Sequence, residues 1–546
     1  MSPSAHIDTF CARNLPPPDQ QPEFRFDLPE LQFPARINCA HDLLDRWIEQ
    51  GEGDRPCLTG SELRWTYAEL QAQANRIANV LVNDMGLVPG NRVLLRGANS
   101  PMLAACWFGV VKAGGVAVGS MPLLRARELA QIVEKAQISH ALCDERLAAE
   151  LQLAAPQCPT LTRVLHFHTD APDGLEARAL GASPRFDNVD TAATDICLMA
   201  FTSGTTGTPK GAVHSHRDIM AACWCWPKHH LRASRDDVFI GSPPLAFTFG
   251  LGGLLLFPLS IGAASVLLEK ASPDVLPAAI AAYRGSVCFT SPTAYRVMAP
   301  QMKNHDLSSL RKCVSAGEML PAATRQLWKE ATGIEMIDGI GSTELLHIFI
   351  SHTDDAARPG ATGKPVPGYT AAIVDDDMNP LPPGRVGRLA IKGPTGCRYL
   401  ADDRQRQYVR NGWNLTGDAY LMDEDGWFVY QARTDDMIVS GGYNIAGPEV
   451  ESALLLHPAV AECGVIGLPD EERGQVVKAY VVLRPGHEAN DTMAKTLQDF
   501  VKQTIAPYKY PRQIEFRDAL PRTETGKLQR FRLRAEATAR QSEASR

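Results

Sequence analysis

The chain has 546 residues, too many for one ordinary core, so two or more domains are expected. Hydrophobic residues make up 45% and charged residues 21%, as in a globular protein. A net charge of −7 and a pI near 6.1 exclude the basic face that nucleic-acid binding requires.

The first residues, MSPSAHIDTFCARNLPPPDQQ, contain no apolar run, so no secretory signal is expected. Further on, Thr66 and Glu69 have capping-box spacing, and Leu70, Ala74, Ile77 and Leu81 follow at helical intervals to a stop at Gly86. Residues 92–96 read as an apolar strand, 102–113 as a helix ending at Gly114-Gly115, and 116–118 as a buried strand. A helix over about 125–136 then leads to a strand at 140–143. This alternation predicts α/β layering with a mainly parallel sheet, and a similar texture returns over 236–340. Residues 243–268 carry no charge and are long enough to cross a bilayer. Gly250, Gly252, Gly253, Pro258 and Gly262 interrupt them, so the reading is a buried helix followed by a buried strand, with a membrane span as the alternative.

Beyond about residue 435 the pattern becomes a small α+β unit. It has a helix near 448–456, strands at 462–466 and 478–483, a polar helix over 491–504 and a short strand at 513–516. The tail 535–546 is polar and expected to fray. The 13 cysteines are scattered, none forms C-x-x-C, and Cys223 and Cys225 are too close for a zinc knuckle. Free buried thiols in a reducing cytoplasm are the expectation.

The strongest local feature is Thr202-Ser203-Gly204-Thr205-Thr206-Gly207-Thr208-Pro209-Lys210-Gly211, after an apolar strand at 196–201. Its glycines let backbone approach a ligand, its hydroxyls donate to oxyanions, and Lys210 adds a positive charge. It lacks the P-loop spacing, and composition alone leaves a solvated Ser/Thr/Gly turn open.

This loop resembles the signature loop of the adenylate-forming superfamily, which includes acyl-CoA synthetases and amino-acid adenylation domains. Four further segments match that family in its order: Asp338-Gly339-Ile340-Gly341-Ser342-Thr343-Glu344, Leu415-Thr416-Gly417-Asp418, Arg433-Thr434-Asp435-Asp436 and Pro521-Arg522-Thr523-Glu524-Thr525-Gly526-Lys527. The resemblance runs from about residue 40 to 530. It implies a large N-terminal adenylation domain (1–434) of layered α/β subdomains and a small mobile α+β C-terminal domain (435–546), hinged at Asp435.

The resemblance also implies an ATP-, Mg²⁺- and coenzyme A-dependent acid–thiol ligase. Thr202, Ser203, Gly204, Thr205, Thr206, Gly207 and Lys210 would wrap the phosphates. Thr343 would touch phosphate, Glu344 would hold Mg²⁺, and Asp338 would line the nucleotide site. Asp418 and Arg433 would bind the ribose, Gly441 and Gly442 would let the CoA arm pass, and Lys527 would be the catalytic cation. Partners would be small molecules only, with neither membrane nor nucleic acid, in a cytoplasmic monomer or homodimer.

The wording around Asp338–Phe349 and Ser242–Leu251 resembles the benzoate-CoA and 2-aminobenzoate-CoA ligase branch, which serves aromatic degradation. In that branch, positions matching Phe247, Thr248, Phe249, Ala316, Gly341, His347 and Ile348 line the acyl pocket. Thr248, where benzoate ligases tend to have a smaller apolar residue, tilts the expectation towards 2-aminobenzoate. His347 would bind either the carboxylate or a ring substituent. The alternatives are a medium-chain acyl-CoA synthetase and a stand-alone adenylation enzyme loading another acceptor.

Overall fold

The computed structural model describes residues 3–202, 209–434, 436–440, 443–470, 473–522 and 528–544. Two parallel sheets form the bulk of the chain. A six-stranded sheet runs in the order Arg163–Phe167, His140–Asp144, Arg92–Arg96, Val116–Ser120, Ile196–Thr202, Lys210–Ser215, with only the last pair antiparallel. A nine-stranded sheet is parallel through Met336–Gly341, Lys312–Ser315, Val287–Thr290, Val238–Gly241, Ala264–Val266 and Pro56–Thr59, with antiparallel strands at both ends.

The local signals explain these elements. Thr66 caps the helix Tyr67–Asn79, and Glu69 reaches back to the Thr66 amide, completing the capping box. The helix loosens into one wide turn over Val80–Asp84 and ends at Gly86, whose φ of +69° suits glycine. In Pro101–Lys112 every residue is buried. This helix shares one core with Tyr67–Asn79, with His216–Trp224 and with side chains of both sheets.

The uncharged stretch is helical from Thr248 to Ser260 and then enters the strand Ala264–Val266. Among the described residues, no helix is long and apolar enough to cross a membrane. A third, antiparallel sheet over 370–433 was not foreseen. The expectation of a frayed tail is corrected: Arg530–Ala544 is a helix that buries Leu533 and Ala537 beside Ile466, Leu468 and Tyr480. The C-terminal sheet pairs Val460–Asp470, Gly474–Leu483 and Gln513–Phe516 around a core of its own. All 13 cysteines are buried and free, and the segment 24–34 packs on its own chain.

Candidate active site

The strands Ile196–Thr202 and Lys210–Ser215 pair antiparallel, with Thr202 opposite Lys210. Ser203, Gly204, Thr205, Thr206 and Gly207 lie outside the described residues. Lys210 Nζ donates to the Tyr399 hydroxyl at 3.3 Å, and that hydroxyl donates to Glu344 Oε1. Glu344 is 8% exposed. At the other end of the hairpin, His214 Nε2 donates to the Thr343 carbonyl at 2.8 Å. Burial pushes His214 down to about 4, which leaves a neutral ring. The hairpin and the Thr343-Glu344 turn are therefore tied together at two points.

Asp338 sits in the strand leading to that turn, and burial raises its carboxyl to about 7 despite the nearby Arg325. Its folded pKa therefore exceeds the ordinary unfolded value of about 3.9. The stability contributed by the neutral form is complete below that value and is lost as pH rises through about 7. Thermal midpoints at pH 5 and pH 8 should show a drop that Asp338→Asn largely removes. An equal drop in both proteins would exclude Asp338 as its source.

Asp418 and Arg433 face each other across paired strands, with Arg433 donating to Asp418 at 3.0 Å and to the Thr416 carbonyl at 3.1 Å. Gly417, inside the strand Trp413–Met422, has a φ of +77°, which favours glycine. Asp435, Gly441, Gly442 and Lys527 lie outside the described residues. The residues flanking the Lys527 loop form a neck, with Arg522 bridging to Leu528 and the Gln529 amide donating to Pro521. Arg522 also donates to Glu318 at 3.4 Å, just beyond Ala316.

Six of the seven predicted acyl-pocket residues fall into two groups, and the seventh, Ala316, is buried just after the strand Lys312–Ser315. Phe249 and His347 pack with Trp226, Phe257 and Phe289, and the His347 ring lies 4.4 Å from Phe257 and 5.7 Å from Phe249 and Trp226. Gly341 and Ile348 adjoin them: a Cβ on Gly341 would meet the His347 carbonyl at 2.7 Å. Phe247 and Thr248 instead line a cavity of about 20 Å³ with Leu103, Trp107 and Leu251. Such a volume has room for a single water.

His347 has a defined protonation pattern. Burial lowers it to about 3, so the ring is neutral. Nε2 approaches the Phe249 carbonyl at 3.4 Å, and a carbonyl only accepts, so the proton sits on Nε2. Nδ1 is then a buried acceptor with no partner among the described residues.

Reasoning from sequence missed Tyr399, Tyr408, His214, Trp226, Phe257 and Phe289. Only the Trp-Cys-Trp-Pro run at 224–227 carried a signal, as an aromatic cluster near an apolar helix. Cys39, Cys197 and His216 form a compact group beneath the hairpin. His216 Nδ1 already accepts the Cys39 amide at 3.2 Å and burial holds the Cys39 thiol protonated, so this group reads as packing.

The hairpin carrying Lys210, the buried Glu344 linked to it through Tyr399 and the Asp418–Arg433 pair on adjacent strands all lie in a chain that matches known enzymes along most of its length. The AMP-binding enzyme family model matches residues 44–399, and the AMP-binding enzyme C-terminal domain model matches residues 449–527. A benzoate–CoA ligase of Thauera aromatica is 34% identical over 93% of this chain and 97% of its own. A mitochondrial acyl-coenzyme A synthetase of Rattus norvegicus is 32% identical over 96% of each. Among solved structures, the anthranilate CoA ligase AuaEII with anthranoyl-AMP superposes with a TM-score of 0.89 at 34% identity, over 93% of this chain and 99% of that one. A benzoate CoA ligase from Burkholderia xenovorans LB400 gives 0.84 at 32% identity, over 91% and 100%. This chain belongs to the AMP-binding enzyme family. It is an AMP-forming aryl/acyl-CoA ligase whose co-substrates are ATP and CoA.

Proposed function

We propose that the acid is an aromatic carboxylate bearing a hydrogen-bond donor on the ring, with 2-aminobenzoate foremost. The carrying observation is the unpaired Nδ1 acceptor of His347 inside an aromatic box. A neutral ring with its lone pair free repels a carboxylate, so it suits an amino or hydroxyl substituent instead. The aromatic walls suit a flat ring. The small cavity behind Thr248 leaves little length for a medium-chain acid on that side. The names of the benzoate and anthranilate ligases above support an aryl acid.

Chemistry runs in two steps. The carboxylate oxygen attacks the α-phosphorus of ATP, pyrophosphate leaves, and an acyl-adenylate forms. The CoA thiol then attacks the acyl carbon and AMP leaves. Lys210 and the loop 202–207 hold the phosphates with Thr343, Asp338 lines the nucleotide site, and Asp418 and Arg433 take the ribose. Lys527 neutralises the incoming carboxylate and the α-phosphate. Mg²⁺, when bound, offsets phosphate charge, and Glu344 is the hard oxygen ligand suited to hold it. The boundary falls after residue 434, with Asp435 as the hinge, and Gly441 and Gly442 line the thiol path.

The test is pyrophosphate release with ATP, Mg²⁺ and CoA against benzoate, 2-aminobenzoate, hydroxybenzoates, hexanoate, octanoate and amino acids. A preference for 2-aminobenzoate over benzoate is expected. His347→Phe keeps a ring in the box but removes the acceptor, and should reduce that preference about three- to tenfold, the worth of one neutral hydrogen bond. A preference for octanoate, or an unchanged ratio in the variant, would discard the pocket reading.

A further inference from the structure

Tyr399 stands between the two charges that the proposed reading needs most. Its side chain is 1% exposed, and its hydroxyl bridges Lys210 and Glu344. Directions are unambiguous, because an ammonium only donates and an ionised carboxylate only accepts. The phenol therefore takes a proton from Lys210 Nζ in one hydrogen bond and gives its own to Glu344 in the other.

The ring is also fixed in place. The Tyr399 amide donates to Gln405 Oε1 at 2.8 Å, and its backbone bridges to Ala212 in the hairpin strand that begins at Lys210. Tyr408 packs edge-on against the ring at 5.7 Å, and the Tyr408 hydroxyl meets Ser342 Oγ at 3.3 Å. The Lys210 ammonium lies 5.0 Å from the Tyr399 ring centroid. The phenol is thus set by neighbours on both sides, whereas Lys210 has a long, adaptable stem.

A lysine and a glutamate this close in a largely dry site attract strongly. A direct ion pair would neutralise both and leave neither for a ligand. We propose that Tyr399 is a positioning residue, a spacer that keeps Lys210 and Glu344 one hydroxyl apart, so that one stays available to nucleotide phosphate and the other to the accompanying divalent cation. This rests on the roles proposed above for Lys210 and Glu344. Tyr399→Phe keeps the ring and its packing, removes the spacer, and lets Lys210 close onto Glu344.

The experiment is calorimetric titration of the whole protein with ATP in the presence of Mg²⁺, using Tyr399→Phe, Lys210→Met, the double variant and Glu344→Gln. Tyr399→Phe should weaken nucleotide binding by about tenfold, comparable to losing one charge-assisted contact. Lys210→Met should weaken it similarly on its own, yet add little in the Tyr399→Phe background, where the lysine is already neutralised. The KM for the acid should stay unchanged. A purely structural role would lower the thermal midpoint and raise both KM values together. Wild-type affinity in Tyr399→Phe, or losses that simply add in the double variant, would overturn the spacer. If Lys210→Met and Glu344→Gln both bind Mg²⁺–ATP normally, the underlying roles fail and the spacer falls with them.

Discussion

Glu344→Gln should slow acyl-adenylate formation by about 10²–10³-fold, the usual loss when one preorganised electrostatic group is removed from a reacting site. The substitution is nearly isosteric, and an amide oxygen can still accept the Tyr399 hydroxyl, so packing survives. What disappears is one negative charge at a position that is 8% exposed and tied through Tyr399 to Lys210. A carboxylate is a hard, anionic ligand for a divalent cation, and a neutral amide oxygen is a much weaker one. In the proposed mechanism, Lys210 and Lys527 would then offset phosphate charge without the metal. Metal-free ATP should bind Glu344→Gln at least as tightly as wild type, because the variant no longer repels the phosphates. Rates come from pyrophosphate release with a saturating acid, and affinities from titrations with and without Mg²⁺. A rate within a few-fold of wild type would remove Glu344 from the metal site, and weaker metal-free binding would contradict the electrostatic account.

The parts of the fold legible in sequence were those written locally. The Thr66–Glu69 capping box, the glycine stops and the uncharged 243–268 stretch each encode an element within a few residues, and each element formed. The antiparallel sheet over 370–433 went unread because its strands lack the two-residue alternation of a half-exposed sheet. Trp413–Met422, for instance, buries runs of neighbouring residues, so both faces are covered. The terminal helix was hidden by its polar composition; Leu533 and Ala537, four residues apart, anchor it because the neighbouring sheet supplies their partners.

The site divides in the same way. The motif residues came from contiguous signatures, yet Lys210, Glu344 and Tyr399 come from three distant segments, and no local spacing encodes their contact. His347 was legible as a candidate, but its role was not. The Phe249 carbonyl fixes its tautomer and burial fixes its charge, and both belong to packing rather than to sequence.

Asp45→Ala should cost about 3–5 kcal/mol of stability, the usual penalty for leaving a buried charge without its partner. Lys112, 1% exposed at the end of the buried helix Pro101–Lys112, donates to both oxygens of Asp45 at 2.5 and 2.6 Å and to Asn188 at 3.2 Å. Asp45 also accepts from Gln71 at 2.8 Å and from Asn188 at 2.7 Å. One carboxylate thus joins the wide turn His41–Asp45, the helix Tyr67–Asn79, the central helix and the segment around residue 188. Burial already holds the Lys112 ammonium below the ordinary lysine range, with Asp45 opposing that shift. Without Asp45, the folded state should favour neutral lysine more strongly. A depressed folded pKa gives stability that is present above the unfolded pKa and lost as pH falls through the folded one. The deficit of the variant should therefore shrink as pH rises from 7 towards about 10, the ordinary lysine range. Asp45→Asn with Lys112→Met should recover most of the loss, because replacing both partners leaves no orphaned charge and the introduced amide oxygen still accepts from Gln71. Thermal midpoints of the two variants and wild type across that pH range carry the test. If the double variant is as unstable as Asp45→Ala, the stranded ammonium is not the source of the loss.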